Sequence, residues 1–320
     1  MHRIGVFPAS GKLGTSIYTH LSKHVDPADV ILISRNPDKI APEVINAGAA
    51  TRQADYDDLE SLHHVFKGIS HLVLISYPSL EIEHRVEAHK TAIIAAVAAG
   101  VSHIFYTSLA FGGDCTPTSI AHVMQAHLQT EAYLKLLMVQ KPGFSFTAIR
   151  EGLYAESFPM YMGFPDLRGS TMDLRILCDG KGPGLAWASI DDLGEATAKL
   201  VERYCKGRDV REYENRVVLL SGPRAYSLAE TVQILGSIAG DRMAVHKVGI
   251  DEYACDPVVQ DNLDSHGEVD VPLKWATSFK AVEAGETAVP SKRLERLLGR
   301  RPETFEKAMG RMIREAHKGK

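Results

Sequence analysis

Short apolar runs separated by segments of helical length constrain this fold more than any other feature. Residues 3–7 (RIGVF), Val30–Ser34, His71–Ile75, 103–107 (HIFYT) and 145–149 (SFTAI) each read as a strand. Their near-continuous apolar character fits strands covered on both faces, not half-solvated ones. Between them, Leu13, Ile17 and Leu21 mark one face of a helix, and Asp57 or Asp58 opens another that closes at Gly68. Residues 83–99 form an Ala-rich helix stopped by Gly100, and residues 119–137 a further one. Strands alternating with helices imply right-handed crossovers and one parallel sheet. The expected fold class is therefore α/β, a Rossmann-type doubly wound parallel sheet with a smaller mixed C-terminal substrate lobe.

Beyond Arg150 the pattern loosens. Residues 151–184, rich in Gly, Pro and Met, read as a loop region on the substrate side. A helix starts at Asp191 or Asp192, Arg216–Leu220 is another strand, and Ser227-x-x-Glu230 is a capping box opening a helix to Ala239. The tail after Trp275 carries two helical stretches, the last with an apolar stripe of Phe305, Met309, Met312 and Ile313 that suits packing. The expected division is a NAD(P)-binding domain over 1–157, rejoined by 186–240, with 158–185 and 241–320 as the substrate lobe.

A net charge of −4 over 320 residues leaves no electrostatic footprint for nucleic acid or an anionic membrane. No apolar stretch reaches membrane-spanning length, and His2 and Arg3 lead into a strand-like run, not a signal-peptide core. Cys115, Cys178, Cys205 and Cys255 are scattered, so free thiols in a reducing, cytoplasmic setting are expected, with neither disulfides nor a metal site. The partner expected is a small-molecule substrate; a homodimer is left open.

Directly after the first strand comes Pro8-Ala9-Ser10-Gly11-Lys12-Leu13-Gly14. Small residues between a strand and a helix let the backbone approach a pyrophosphate, which the unpaired N–H groups and positive end of the helix then hold. A P-loop reading fails, because five residues separate Gly5 from Gly11 and Leu13 stands where a magnesium-binding Ser or Thr is needed. At the end of the second strand, where an acidic residue would bind the ribose 2′-hydroxyl of NAD, stands Ser34-Arg35-Asn36-Pro37. Arg35 suits a 2′-phosphate, with Lys39 and Lys12 adding positive charge, so NADP(H) is the expected cofactor.

These stretches, with Ala54-Asp55-Tyr56-Asp57-Asp58, residues 99–108 and Arg150-Glu151-Gly152-Leu153-Tyr154-Ala155-Glu156, together resemble the NmrA-like family of atypical short-chain dehydrogenases. By motif the nearest subgroup is the NADPH quinone oxidoreductase and triphenylmethane reductase type. The resemblance implies that Asp55 and Tyr56 contact the adenine side, that Ser76, Tyr77 and Pro78 lie along the ribose and nicotinamide, and that Thr107 and Ser108 lie beneath the nicotinamide. Pro8 stands where the family's loop opens with Gly and removes one N–H donor.

None of the eleven tyrosines has Lys four residues on, so the Tyr-x-x-x-Lys acid of ordinary short-chain dehydrogenases is absent. The resemblance places His127 in that role, with His122 as a competitor, and Tyr154 over the nicotinamide; Ser108 and Tyr106 are weaker candidates. A histidine titrating near neutrality suits proton donation or a hydrogen bond to cofactor. Phe158, Met160, Tyr161, Met162 and Phe164 are expected to line an apolar pocket. The function expected is NADPH-dependent reduction of a small or medium apolar carbonyl, quinone or conjugated substrate. A non-catalytic NADP sensor and a non-redox isomerase or cyclase are the alternatives.

Overall fold

The computed structural model describes residues 3–165, 172–240, 243–264 and 270–318. The first half runs β1 (Ile4–Phe7), α1 (Lys12–Leu21), β2 (Val30–Ser34), α2 (Pro42–Asn46), β3 (Ala50–Gln53), α3 (Leu59–Leu62), β4 (His71–Ile75), α4 (Ile82–Ala98), β5 (His103–Leu109), α5 (His122–Gln140) and β6 (Ser145–Glu151). It continues with β7 (Met172–Ile176), α6 (Ile190–Cys205), α7 (Val210–Tyr213), β8 (Arg216–Leu220), α8 (Leu228–Ala239) and β9 (Met243–Lys247). Five helices follow: α9 (Ile250–Ala254), α10 (Pro257–Asn262), α11 (Asp270–Glu283), α12 (Lys292–Leu298) and α13 (Phe305–Lys318).

The alternation of apolar runs closes into a seven-stranded sheet ordered β3-β2-β1-β4-β5-β6-β8, and every pairing in it is parallel. The order reverses between β1 and β4, which opens a crevice at the carboxyl ends of those strands. On one face the sheet packs against α1 and α6 through Leu13, Ile17, Tyr18 and Leu193. The other face packs against α4 and α5 through Phe7, Leu74, Ile93 and Leu134. Gly14 is required for the first of these packings: a Cβ there would sit 2.6 Å from the carbonyl oxygens of Pro8 and Ala9. Gly194 on α6 is required for the same reason, since a Cβ would run into Ser16 of α1.

Strand β3 has no apolar run to announce it. Its four residues (ATRQ) form the outer edge and are mostly exposed, so no burial pattern was imposed on the sequence. The helix expected from Asp58 to Gly68 shrinks to α3, which Asp58 caps by accepting the Ser61 N–H. Helix α4 ends beside Gly100 at φ +96°, as the pattern required. The Ser227–Glu230 capping box is formed, and α8 closes on Gly240 in the left-handed conformation.

The 151–184 region is less loop-like than expected. A 3-10 turn spans Ala155–Tyr161, and β7 pairs in parallel with β9 as a separate two-stranded sheet. A strand whose partner lies some seventy residues away leaves no local signal. A second core joins this region to the C-terminal helices through Trp187, Trp275, Phe279 and Phe305. Phe305, Met309 and Ile313 of the α13 stripe are buried, Met312 partly so. Among the described residues no helix is long and apolar enough to cross a membrane.

Candidate active site

Helix α1 begins at Gly11 without a side-chain cap and with no acidic residue in its first turn. Its leading N–H groups and positive end are therefore available to an anion. Space is open where a Gly11 Cβ would stand, whereas Leu13 turns into the core and Lys12 is exposed. Ser34 ties this loop to the end of β2: its hydroxyl donates to Ser10 Oγ at 2.7 Å and accepts the Asn36 N–H at 3.1 Å. Arg35, with 71% of its side chain exposed, lies 3.7 Å from Asp55. An ion pair that exposed is weak and readily exchanged for a phosphate. Asn36 and Lys39 are exposed on the same loop, and Pro8 is half-buried. The donor set fits a pyrophosphate at α1 and a 2′-phosphate at Arg35.

Tyr56 is not displayed beside that site. Its ring packs 4.5 Å from Phe7, and its hydroxyl donates to the Ile75 carbonyl at 2.8 Å, so it braces the loop against the end of β4. Tyr77 likewise donates to Asp57 at 2.8 Å and holds its own segment down.

A cavity of about 670 Å³ opens over the carboxyl ends of β4, β5 and β6. Ser76, Pro78, Thr107, Ser108, His127 and Tyr154, singled out separately in the sequence, meet on its wall. Met160 and Tyr161 of the aromatic and methionine stretch also line it. Phe158 and Met162 are instead wholly buried in the second core, and Phe164 packs at that core's edge. Much of the remaining apolar wall comes from residues distant in sequence, Trp275 of α11 among them. His122 lies off the wall, with its Nε2 bonded to the Leu80 carbonyl at 2.8 Å.

Sequence reasoning missed Arg85. It sits among polar residues near the start of α4, a helix marked in the sequence only by its alanines, yet it is only 7% exposed and lines the cavity. Its Nη2 donates to Ser76 Oγ at 2.7 Å and to His127 Nε2 at 2.8 Å, and its Nη1 donates to the Ser79 carbonyl at 3.1 Å. A guanidinium has no acceptor lone pair, so Nε2 of His127 must be the unprotonated nitrogen. The Nδ1–H then donates to the Tyr106 hydroxyl at 3.0 Å. Burial, and after it the Arg85 charge, holds the His127 pKa well below the ordinary value for histidine. His127 is neutral, and both of its ring nitrogens are used inside the protein.

His89 extends the network. It accepts the Tyr77 N–H at 2.9 Å and donates from Nδ1 to Thr130 at 2.8 Å. Burial pushes the Tyr106 phenol up to about 12 and raises that of Tyr154 further still. Tyr154 thus stays protonated, and among the described residues nothing hydrogen-bonds its hydroxyl. Ser108 donates to Glu131 Oε1 at 2.7 Å, and both oxygens of Glu131 accept from Arg150 at 2.9 Å. The Ser108 proton is committed, which leaves its oxygen as an acceptor toward the cavity.

A doubly wound sheet with an uncapped glycine loop at its switch point, a basic residue after β2 and a cavity over the neighbouring strand ends defines a Rossmann-type dinucleotide-binding protein. The chain belongs to the NmrA-like family, whose model matches residues 1–256. It is 30% identical over 251 residues to Quinone oxidoreductase 2 of Escherichia coli, covering 78% of this chain and 79% of the relative. A solved NADPH-dependent quinone oxidoreductase from E. coli, complexed with NADPH, superposes with a TM-score of 0.76 at 27% identity, covering 97% of this chain and 99% of that one. The Citrobacter sp. triphenylmethane reductase complexed with NADP(H) gives 0.74 at 26% identity, covering 97% and 99%.

Proposed function

We propose that the protein is an NADPH-dependent reductase of quinones and related conjugated carbonyls. The observation that carries this reading is the open cavity of about 670 Å³ over β4, β5 and β6, lined by both polar and apolar side chains. A pure cofactor sensor has no use for such a second site. The likeness to quinone and dye reductases supports it.

In this reading the α1 N-terminus, with Gly11 and Lys12, holds the pyrophosphate. Ser10, Arg35, Asn36 and Lys39 hold the 2′-phosphate, and Asp55 flanks the adenine. Ser76, Pro78 and Thr107 border the ribose and nicotinamide, where the cofactor supplies a hydride. The Ser108 oxygen, its proton held by Glu131, accepts from a carboxamide or substrate N–H. Tyr154 keeps its proton and offers it as a hydrogen bond into the cavity. His127 positions Arg85; the proton donation that the sequence suggested for it passes to Tyr154 or to water.

The test is NADPH oxidation against a panel of quinones, enones and imines, with calorimetry of NADPH binding alongside. Turnover of quinones is expected. Tight NADPH binding with no oxidation by any acceptor would defeat the reading and favour a sensor.

A further inference from the structure

Arg85 is the observation left over. It is buried on the cavity wall, and among the described residues no carboxylate pairs with it. A buried cation without an anion is costly and is retained where an anion arrives with the ligand or forms during the reaction. Its contacts to Ser76, Ser79 and His127 are all to neutral acceptors and occupy four of the five guanidinium N–H groups. One N–H on Nη1 remains. The supports are rigid: His127 is held by Tyr106, and Ser76 contacts His89 at 3.1 Å.

We propose that Arg85 selects acceptors whose oxygen becomes negatively charged as they take up hydride, and rejects acceptors that are themselves cations. This rests on the reductase reading and narrows its substrate class to neutral quinones and conjugated carbonyls. A triphenylmethane dye is a carbocation that hydride neutralises; it would enter beside a guanidinium that no carboxylate of the described residues pairs with, and gain nothing from it in the transition state. A quinone runs the other way. It takes a hydride with its electron pair from NADPH, which is left as NADP⁺, and one oxygen acquires a full negative charge. That oxyanion lies against Arg85 and then takes a proton from water to complete the hydroquinone. Arg85 stabilises the charge as it forms, the arrangement that accelerates reaction without strengthening ground-state binding.

Turnover and the ionisation of a bound phenol both test this. Wild-type protein should reduce a small naphthoquinone in preference to a cationic triphenylmethane dye. Arg85→Met should lower kcat for the quinone by about 10²–10³-fold, the usual effect of losing one oxyanion donor, with NADPH affinity unchanged. The ratio of dye to quinone turnover should rise in the same variant. Independently of turnover, 4-nitrophenol bound to wild-type protein should ionise about one pH unit or more lower than in solution, read from the phenolate absorbance. Arg85→Lys, which keeps the charge, should retain most of that shift and Arg85→Met none; should Arg85→Met fail to fold, the Lys variant and the wild-type measurements still decide. Preference for the dye, an unshifted nitrophenol, or quinone turnover insensitive to Arg85→Met would overturn the selection by Arg85 and leave the reductase reading standing. Weakened NADPH binding in Arg85→Met would reassign the residue to the cofactor and overturn it too. Failure of wild-type protein to oxidise NADPH with either acceptor would bring down both.

Discussion

Two arginines lie buried in this molecule, one on helix α4 and one on strand β6, and what most separates their surroundings is charge. Arg150, on β6, is wholly buried, and Glu131 neutralises it through two hydrogen bonds of 2.9 Å. Its remaining donors reach the carbonyls of Phe111 and Thr116, so the group ties β6, α5 and the loop after β5 together. Arg85 has as many hydrogen bonds and, among the described residues, no carboxylate partner. Both side chains are solvated by protein, but only one is neutralised, and that one faces away from the cavity. A buried charge answered within the fold is architecture; a buried charge left open at a cavity wall is addressed to a ligand. The next residue of β6 makes the same point for an acid. Glu151 points to the opposite face; among the described residues its carboxylate bonds only Thr197, and its Oε2 has no partner. Burial pushes its carboxyl up to about 8.

The contrast can be broken at several points. The largest effect is expected from Glu131→Ala, which strands the Arg150 charge and should lower stability by about 3–5 kcal/mol in denaturant titration. A loss below about 1 kcal/mol would mean that the pair is not what holds β6 to α5.

Glu151→Gln should act in the opposite direction and with pH. The folded carboxyl titrates near 8 and the unfolded one near 4.5, so the native state carries the extra proton between them. Wild-type stability therefore falls as pH rises through that window, by up to about 1.4 kcal/mol per unit. A glutamine does not titrate, so the variant should gain on wild type steadily from pH 5 to pH 8. Parallel stability curves would show that Glu151 is ionised in the fold.

Arg35 is the exposed counterpart of the two. Arg35→Ala should weaken NADPH binding about tenfold, the scale of one charge-assisted contact in solvent, and leave NADH unchanged by calorimetry. Equal weakening of both cofactors would remove the 2′-phosphate assignment.

The smallest effect is expected where intuition from Arg150 would place a large one. Arg85→Met removes an unanswered charge and should shift stability by less than about 1 kcal/mol, in contrast to Glu131→Ala. In the same variant the His127 ring, followed by NMR, should titrate higher than in wild type yet remain below an exposed histidine, because burial outweighs Arg85 in depressing it. A melting temperature that collapses with Arg85→Met would make the two arginines equivalent.

What the sequence by itself determined is the part governed by local rules. Apolar runs covered on both faces, the glycine loop between β1 and α1, the Ser227 capping box and Gly100 after α4 are all readable because backbone conformation and burial act over a few neighbouring residues. The place of Arg35 was legible for the same reason, since it is set by one position after one strand. Strand β3 escaped because an exposed edge demands no apolar pattern, and β7 with β9 because their pairing is remote. The cavity was decided by tertiary structure alone. Whether Met160 or Phe158 faces it depends on how the 155–161 turn seats against Trp275 and Trp187. Whether Arg85 is a solvated helix residue or an unanswered buried cation depends on α5 closing over α4 and bringing His127 within 2.8 Å. A charge takes its chemical meaning from what lies opposite it across the fold, and no window of neighbouring residues contains that information.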